Sequence, residues 1–97
     1  MIPSIRIGPV EYQVREVDDL HFVNDEGRKA FLHGDIRWGE SDIRVSNDNS
    51  EQVKICTLWH EAVHGILHNA GQEHTEEVVI ALGYGLVQLI RDNPALI

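Results

Sequence analysis

The stretch LWHEAVHGILHNAG, Leu58 to Gly71, decides how the rest of the chain reads. His60 and His64 stand four apart, with Glu61 directly after the first. On an α-helix, residues four apart face the same way, with Cβ atoms about 5–6 Å apart. Both imidazoles can then place a ring nitrogen about 2.0–2.1 Å from one zinc ion. Glu61 is rotated away from that axis, beside an ion rather than on it, where its carboxylate can take a proton from a metal-bound water. This is the mechanical content of the pattern H-E-x-x-H.

The surrounding residues predict that helix. Val53, Ile55, Cys56, Leu58, Trp59, Ala62, Val63, Ile66 and Leu67 fall all round it, as in a helix at the centre of its domain. The preceding SNDNSEQ (Ser46 to Gln52) is rich in capping residues, and Asn49 with Gln52 or Asp48 with Glu51 has capping-box spacing. Gly71 is placed to end the helix. Thr75 reads as the N-cap of a second helix reaching about Asn93, with Pro94 as terminator. Val78, Val79, Leu82, Leu86, Leu89 and Ile90 define its expected inward face.

The first half reads as strands. Val10, Tyr12 and Val14 alternate with Glu11, Gln13 and Arg15, which is period two. Asn24 to Gly27 (NDEG) and Gly39 to Asp42 (GESD) are turns, KAFLHGDIRW between them is expected to run extended to Trp38, and Ile43 to Ser46 alternates again. The expected fold class is α+β. A small, mostly antiparallel sheet of about three strands, open to a mixed pairing, precedes an active-site helix and a second packed helix. All of it forms one domain over residues 1–97. Trp38 and Trp59 are expected in the core. Cys56 is expected to be a buried small hydrophobe, and His21 and His33 have no evident tie to the site.

Composition narrows the function. The chain of 97 residues carries 8 basic and 16 acidic side chains, a net charge of −8. That argues against a nucleic-acid partner and against an anionic membrane surface. One cysteine excludes an intrachain disulfide and a cysteine-rich zinc knuckle. The N-terminal MIPSIRIGPVEYQ does not read as a signal peptide, and no stretch approaches the ~20 apolar residues of a membrane helix. The expectation is a cytoplasmic protein.

A catalytic zinc needs a third protein ligand and one open position. His68 continues the helical face but lies about 12 Å from His60 along the axis, which makes it an outer or surface residue. The metzincin arrangement would need a third histidine at position 70, which is Ala70. On the second helix, Glu76 lies at the flank of the apolar face, and Glu77 lies nearly opposite it, in solvent. Glu76 is the favoured third ligand. His74, in the loop, is its main competitor and alternatively a stabiliser of the oxyanion that develops during hydrolysis. Tyr84 falls on the polar side of the second helix; an oxyanion role is one reading, and a surface or interface tyrosine is the favoured one.

HEAVHGILH resembles the H-E-x-x-H-x-x-L-H signature of the metallopeptidases similar to ImmA and IrrE, common in phages, mobile elements and bacteria. Counted from Glu76, the hydrophobic pattern at Val79, Gly83, Leu86 and Val87 is similar to that family's second helix. Ile80 and Leu82 stand where the family has an asparagine and an aromatic residue. The resemblance spans roughly residues 36 to 94. It implies a minimal gluzincin, a zincin-like fold encoded by a phage or prophage, with His60, His64 and Glu76 as zinc ligands and Glu61 as general base. The implied activity is hydrolysis of a peptide or protein substrate by metal-activated water. An extended peptide is expected to add to an exposed strand, with Ile43 to Ser46 as the candidate edge. The competing expectation is a non-catalytic, zinc-stabilised protein-interaction module.

Overall fold

The computed structural model describes residues 1–97. Six strands precede two helices: β1 (Ser4–Ile7), β2 (Val10–Val17), β3 (His21–Val23), β4 (Lys29–Phe31), β5 (Gly34–Arg37), β6 (Asp42–Ser46), α1 (Glu51–Asn69) and α2 (Glu76–Asp92). The fold class is α+β, as expected, but the strand count is higher. The main sheet has four strands in the order β1-β2-β6-β5, and β3 with β4 forms a separate two-stranded hairpin. The β2–β6 pairing is parallel, with Val14 beside Ile43, and the other two pairings of the main sheet are antiparallel.

KAFLHGDIRW is not one extended run. Its first part pairs with β3 and its second with β6, and the chain changes sheets at Leu32 and His33. The Leu32 N–H donates to the Leu20 carbonyl while the His33 carbonyl accepts from Ser46, so the break lies where the two ladders claim neighbouring residues. The strand Ile43 to Ser46 is likewise not an edge. β6 is flanked by β2 and β5, which removes it as a peptide-docking strand. The open edges are β1 and β5.

Period two sets the faces of the sheet. Ile7, Tyr12, Ile43 and Val45 form the core with Ile5, Val10 and Ile36, and Leu58 and Ala62 of α1 pack on them. On the other face charged residues pair directly across β5 and β6, Asp35 opposite Arg44 and Arg37 opposite Asp42. Each guanidinium grips its carboxylate with two hydrogen bonds. Asp42 is only 2% exposed. The Arg37 hydrogen bonds, helped by the charges of Arg37, Arg15 and Arg44, hold its carboxyl below the ordinary carboxylate value against the opposing effect of burial. A depressed value contributes stability above the unfolded-state pKa of about 4, and that stability is lost as pH falls through the folded-state value. Asp42→Asn is expected to cost about 1–2 kcal/mol at neutral pH. Urea midpoints of the two proteins should converge in acid, and a constant gap down to pH values well below about 4 would show that the charge is not the cause.

Polar contacts fix both ends of α1. Ser50, rather than Asp48 or Asn49, is its N-cap, its hydroxyl accepting from the Val53 N–H. Of the earlier candidates, the Asn49 side chain meets His33 instead, and Asp48 lies too far ahead of the first helical residue, Glu51. One turn in, the buried Lys54 donates to Glu16, Asn47 and Glu51, which uses all three ammonium hydrogens. At the far end Asn69 donates to the Ile7 carbonyl of β1. Gly71, at φ 69°, then closes the helix as expected, with Gly71 N–H bonded to the His68 carbonyl and Gln72 N–H to that of Leu67.

α1 lies between the sheet and α2, which packs on α1 and not on the sheet. Thr75 caps α2 as expected, accepting from Val78 N–H. The inward face of α2 is rotated from the expected one. Val79, Gly83 and Val87 are buried, whereas Val78, Leu82 and Leu89 are exposed. The cause is Gly83, a position counted in the family resemblance but left out of the face read from apolar period alone. A Cβ there would stand 3.4 Å from the His60 Cα, so the two backbones meet along that line. With only two neighbours, α1 leaves Val53, Ile55 and Ile66 exposed. The tryptophans are not core residues: Trp59 is half-buried, and Trp38 is exposed at the rim, stacked on His68 with ring centroids 3.9 Å apart. No helix is long and apolar enough to cross a membrane.

Candidate metal centre

The Gly83 contact brings the start of α2 beside the middle of α1. His60 Nε2 lies 2.5 Å from Glu76 Oε1, and His64 Nε2 lies 3.1 Å from Glu76 Oε2. One carboxylate therefore spans both imidazoles. His60, Glu61 and His64 also each offer a donor atom within 4.8 Å of the others, a group that could hold a metal ion. Two imidazole nitrogens with one or two carboxylates is a donor set that suits zinc. Of the two carboxylates, Glu76 is the one whose oxygens face both Nε2 atoms.

Glu61 is different in kind. It is 6% exposed and sits under β5 beside Gly34, whose missing side chain makes room for the neighbouring Thr57 and the Arg44 carbonyl. A Cβ on Gly34 would lie 2.5 Å from Thr57 Cγ2, 2.8 Å from the Arg44 carbonyl oxygen and 3.6 Å from Glu61 Cγ. Burial, reinforced by the negative charges of Glu76 and Asp35, pushes the Glu61 carboxyl up to about 7. That value suits a group that takes and returns a proton near neutrality. Burial also holds His64 below the usual histidine value, which favours the neutral ring.

The site opens into a cleft of about 610 Å³ between α1, α2 and the β4–β5 segment. His60, Glu61 and Glu76 line it, with Glu76 61% exposed on its outer wall. Ile80 and Tyr84 continue the Glu76 wall at four-residue steps, and Val53, Cys56 and Thr57 continue the α1 wall. Phe31 and His33 close the side toward the hairpin.

The structure brings together His60, Glu61, His64 and Glu76. It places His74 behind His64, with His74 Nε2 2.9 Å from His64 Nδ1 and His74 Nδ1 3.0 Å from the Gln72 carbonyl oxygen. Glu77 and His68 are exposed and outside the cleft. Reading the sequence put Tyr84 at the surface, where it is, without favouring a place at the cleft, left His33 without a tie to the site, and made Cys56 too deeply buried. Tyr84 had a usable signal in its eight-residue spacing from Glu76. His33 had none, because its position depends on the change of sheet at Leu32. Comparison with known proteins finds no matching family model, no matching curated protein and no matching solved structure.

Proposed function

We propose that the protein is a zinc-dependent metallopeptidase, zincin-like and of the gluzincin kind, as its resemblance to the ImmA and IrrE metallopeptidases implies. The observation that carries the reading is the Glu76 carboxylate facing the Nε2 atoms of both His60 and His64, with the buried Glu61 alongside. His60, His64 and Glu76 are the ligands. A zinc ion held there supplies a water of lowered pKa and polarises a carbonyl oxygen. The Glu61 carboxylate would be the group that takes a proton from an attacking water and returns it to the departing amine.

An extended peptide has a place to lie. Ser46 N–H donates to the His33 carbonyl. In an antiparallel pair hydrogen-bonded positions alternate, so Gly34 and Ile36 of β5 turn their backbone groups to the open edge. Gly34 lines the same cleft as Glu61. Strand addition at β5 presents a peptide carbonyl to the site.

The test is zinc titration of protein purified without added metal, followed by incubation with a library of unstructured peptides. One zinc per chain with cleavage abolished by a chelator supports the reading. One zinc per chain without any cleaved product makes the protein a zinc-stabilised interaction module instead.

A further inference from the structure

We propose that His74 is a positioning residue that fixes the ring of His64 in the tautomer whose free lone pair lies on Nε2, the nitrogen that faces Glu76. The inference rests on the metal reading above. A backbone carbonyl only accepts hydrogen bonds, so the His74 Nδ1 lying 3.0 Å from the Gln72 oxygen carries the proton. In the neutral ring, His74 Nε2 is then an acceptor. The His64 Nδ1, 2.9 Å away, is the donor to it. That leaves the His64 Nε2 with a bare lone pair, facing Glu76 Oε2 at 3.1 Å.

Two acceptors at that distance repel, unless a cation lies between them. The loop thus favours the form of His64 that gains most from an ion shared with Glu76. The loop itself is fixed from both sides. Gly71 at φ 69° and the Gln72 N–H bond to the Leu67 carbonyl hold the Gln72 peptide, and the Thr75 cap holds the start of α2. His74 stands between these two anchors and carries their rigidity to the ligand. A hydrogen bond of this kind on the remote nitrogen of a metal-binding histidine sets the tautomer and raises ligand basicity, and its loss costs about 10–100-fold in metal affinity.

The experiment uses the wild-type chain, His74→Leu and His74→Gln. Nitrogen-15 spectra of the imidazoles in metal-free protein, at about pH 8 where ordinary histidines are neutral, report the His64 tautomer. Competition with a chromophoric chelator reports zinc affinity, and the cobalt-loaded protein reports ligand geometry by its absorption. The expected result is an Nδ1–H tautomer at His64 in the wild type that is lost in His74→Leu. Zinc binding by the leucine variant should be about 10–100-fold weaker. His74→Gln, whose amide oxygen can accept the same proton, recovers most of the affinity with an unchanged cobalt spectrum.

A leucine variant with wild-type zinc affinity and an unchanged tautomer overturns the proposal. So does a glutamine variant with a collapsed cobalt spectrum, which would make His74 a ligand. If His74→Leu fails to fold, the wild-type tautomer and the glutamine variant still decide. A wild type that binds no zinc overturns the metal reading, and the metal-free spectra then test the hydrogen-bonded chain separately.

Discussion

Glu61→Gln is expected to keep its zinc and to lose peptide hydrolysis by about 10²- to 10⁴-fold. The amide matches the carboxylate in shape, so the packing beneath Gly34 has no reason to change. It has no basic oxygen able to take a proton from water. The substitution also removes a negative charge from a site that is 6% exposed and already crowded by Glu76 and Asp35, so the fold should not weaken. Zinc content by elemental analysis and turnover of an unstructured peptide, measured on the same preparations, separate the two effects. Equal turnover in both proteins refutes the general-base role. Loss of zinc together with turnover would make Glu61 a ligand.

Glu76→Ala should produce the largest change in metal binding. It removes the one carboxylate that faces both Nε2 atoms, and the loss should exceed the about 10–100-fold typical of partners that act through a ligand. The same variant tests stability. An ion that binds only the folded chain, at about 1,000 times its dissociation constant, adds about 4 kcal/mol. For a chain of this size that is a rise of about 15–30 °C in midpoint temperature. The wild type should lose this increment to a chelator, and Glu76→Ala should show little of it with zinc or without. A variant that still gains the full increment would move the third ligand elsewhere.

Both predictions depend on residues that the sequence identified, and the reason is local. His60, Glu61 and His64 share one helix, whose geometry is set by period alone. Glu76 could be read because a short loop makes α2 fold back on α1. The rotation of α2 could not be read from apolar period, since it follows from a backbone contact at Gly83; only the family resemblance counted that position. β1 was missed because four residues, Ser4 to Ile7, are too few to establish alternation. The parallel placement of β2 beside β6 joins residues about thirty apart, and nothing local specifies that pairing. The edge was misassigned for the same reason, since whether a strand is internal is a property of its neighbours.

The single-sided packing of α2 gives the proposed ion a mechanical consequence. α2 touches α1 and the short C-terminal 3-10 turn that follows it, but not the sheet, so little besides the Gly83 seam holds it down. A ligand set that takes two residues from α1 and one from the first turn of α2 is a clasp across that seam. Regions with few packed neighbours open first. Amide hydrogens of α2 should therefore exchange ahead of those in α1 when the metal is removed, and the two helices should come into step when it is restored. With the proposed clasp in place, losing the ion and opening the cleft wall would be the same event.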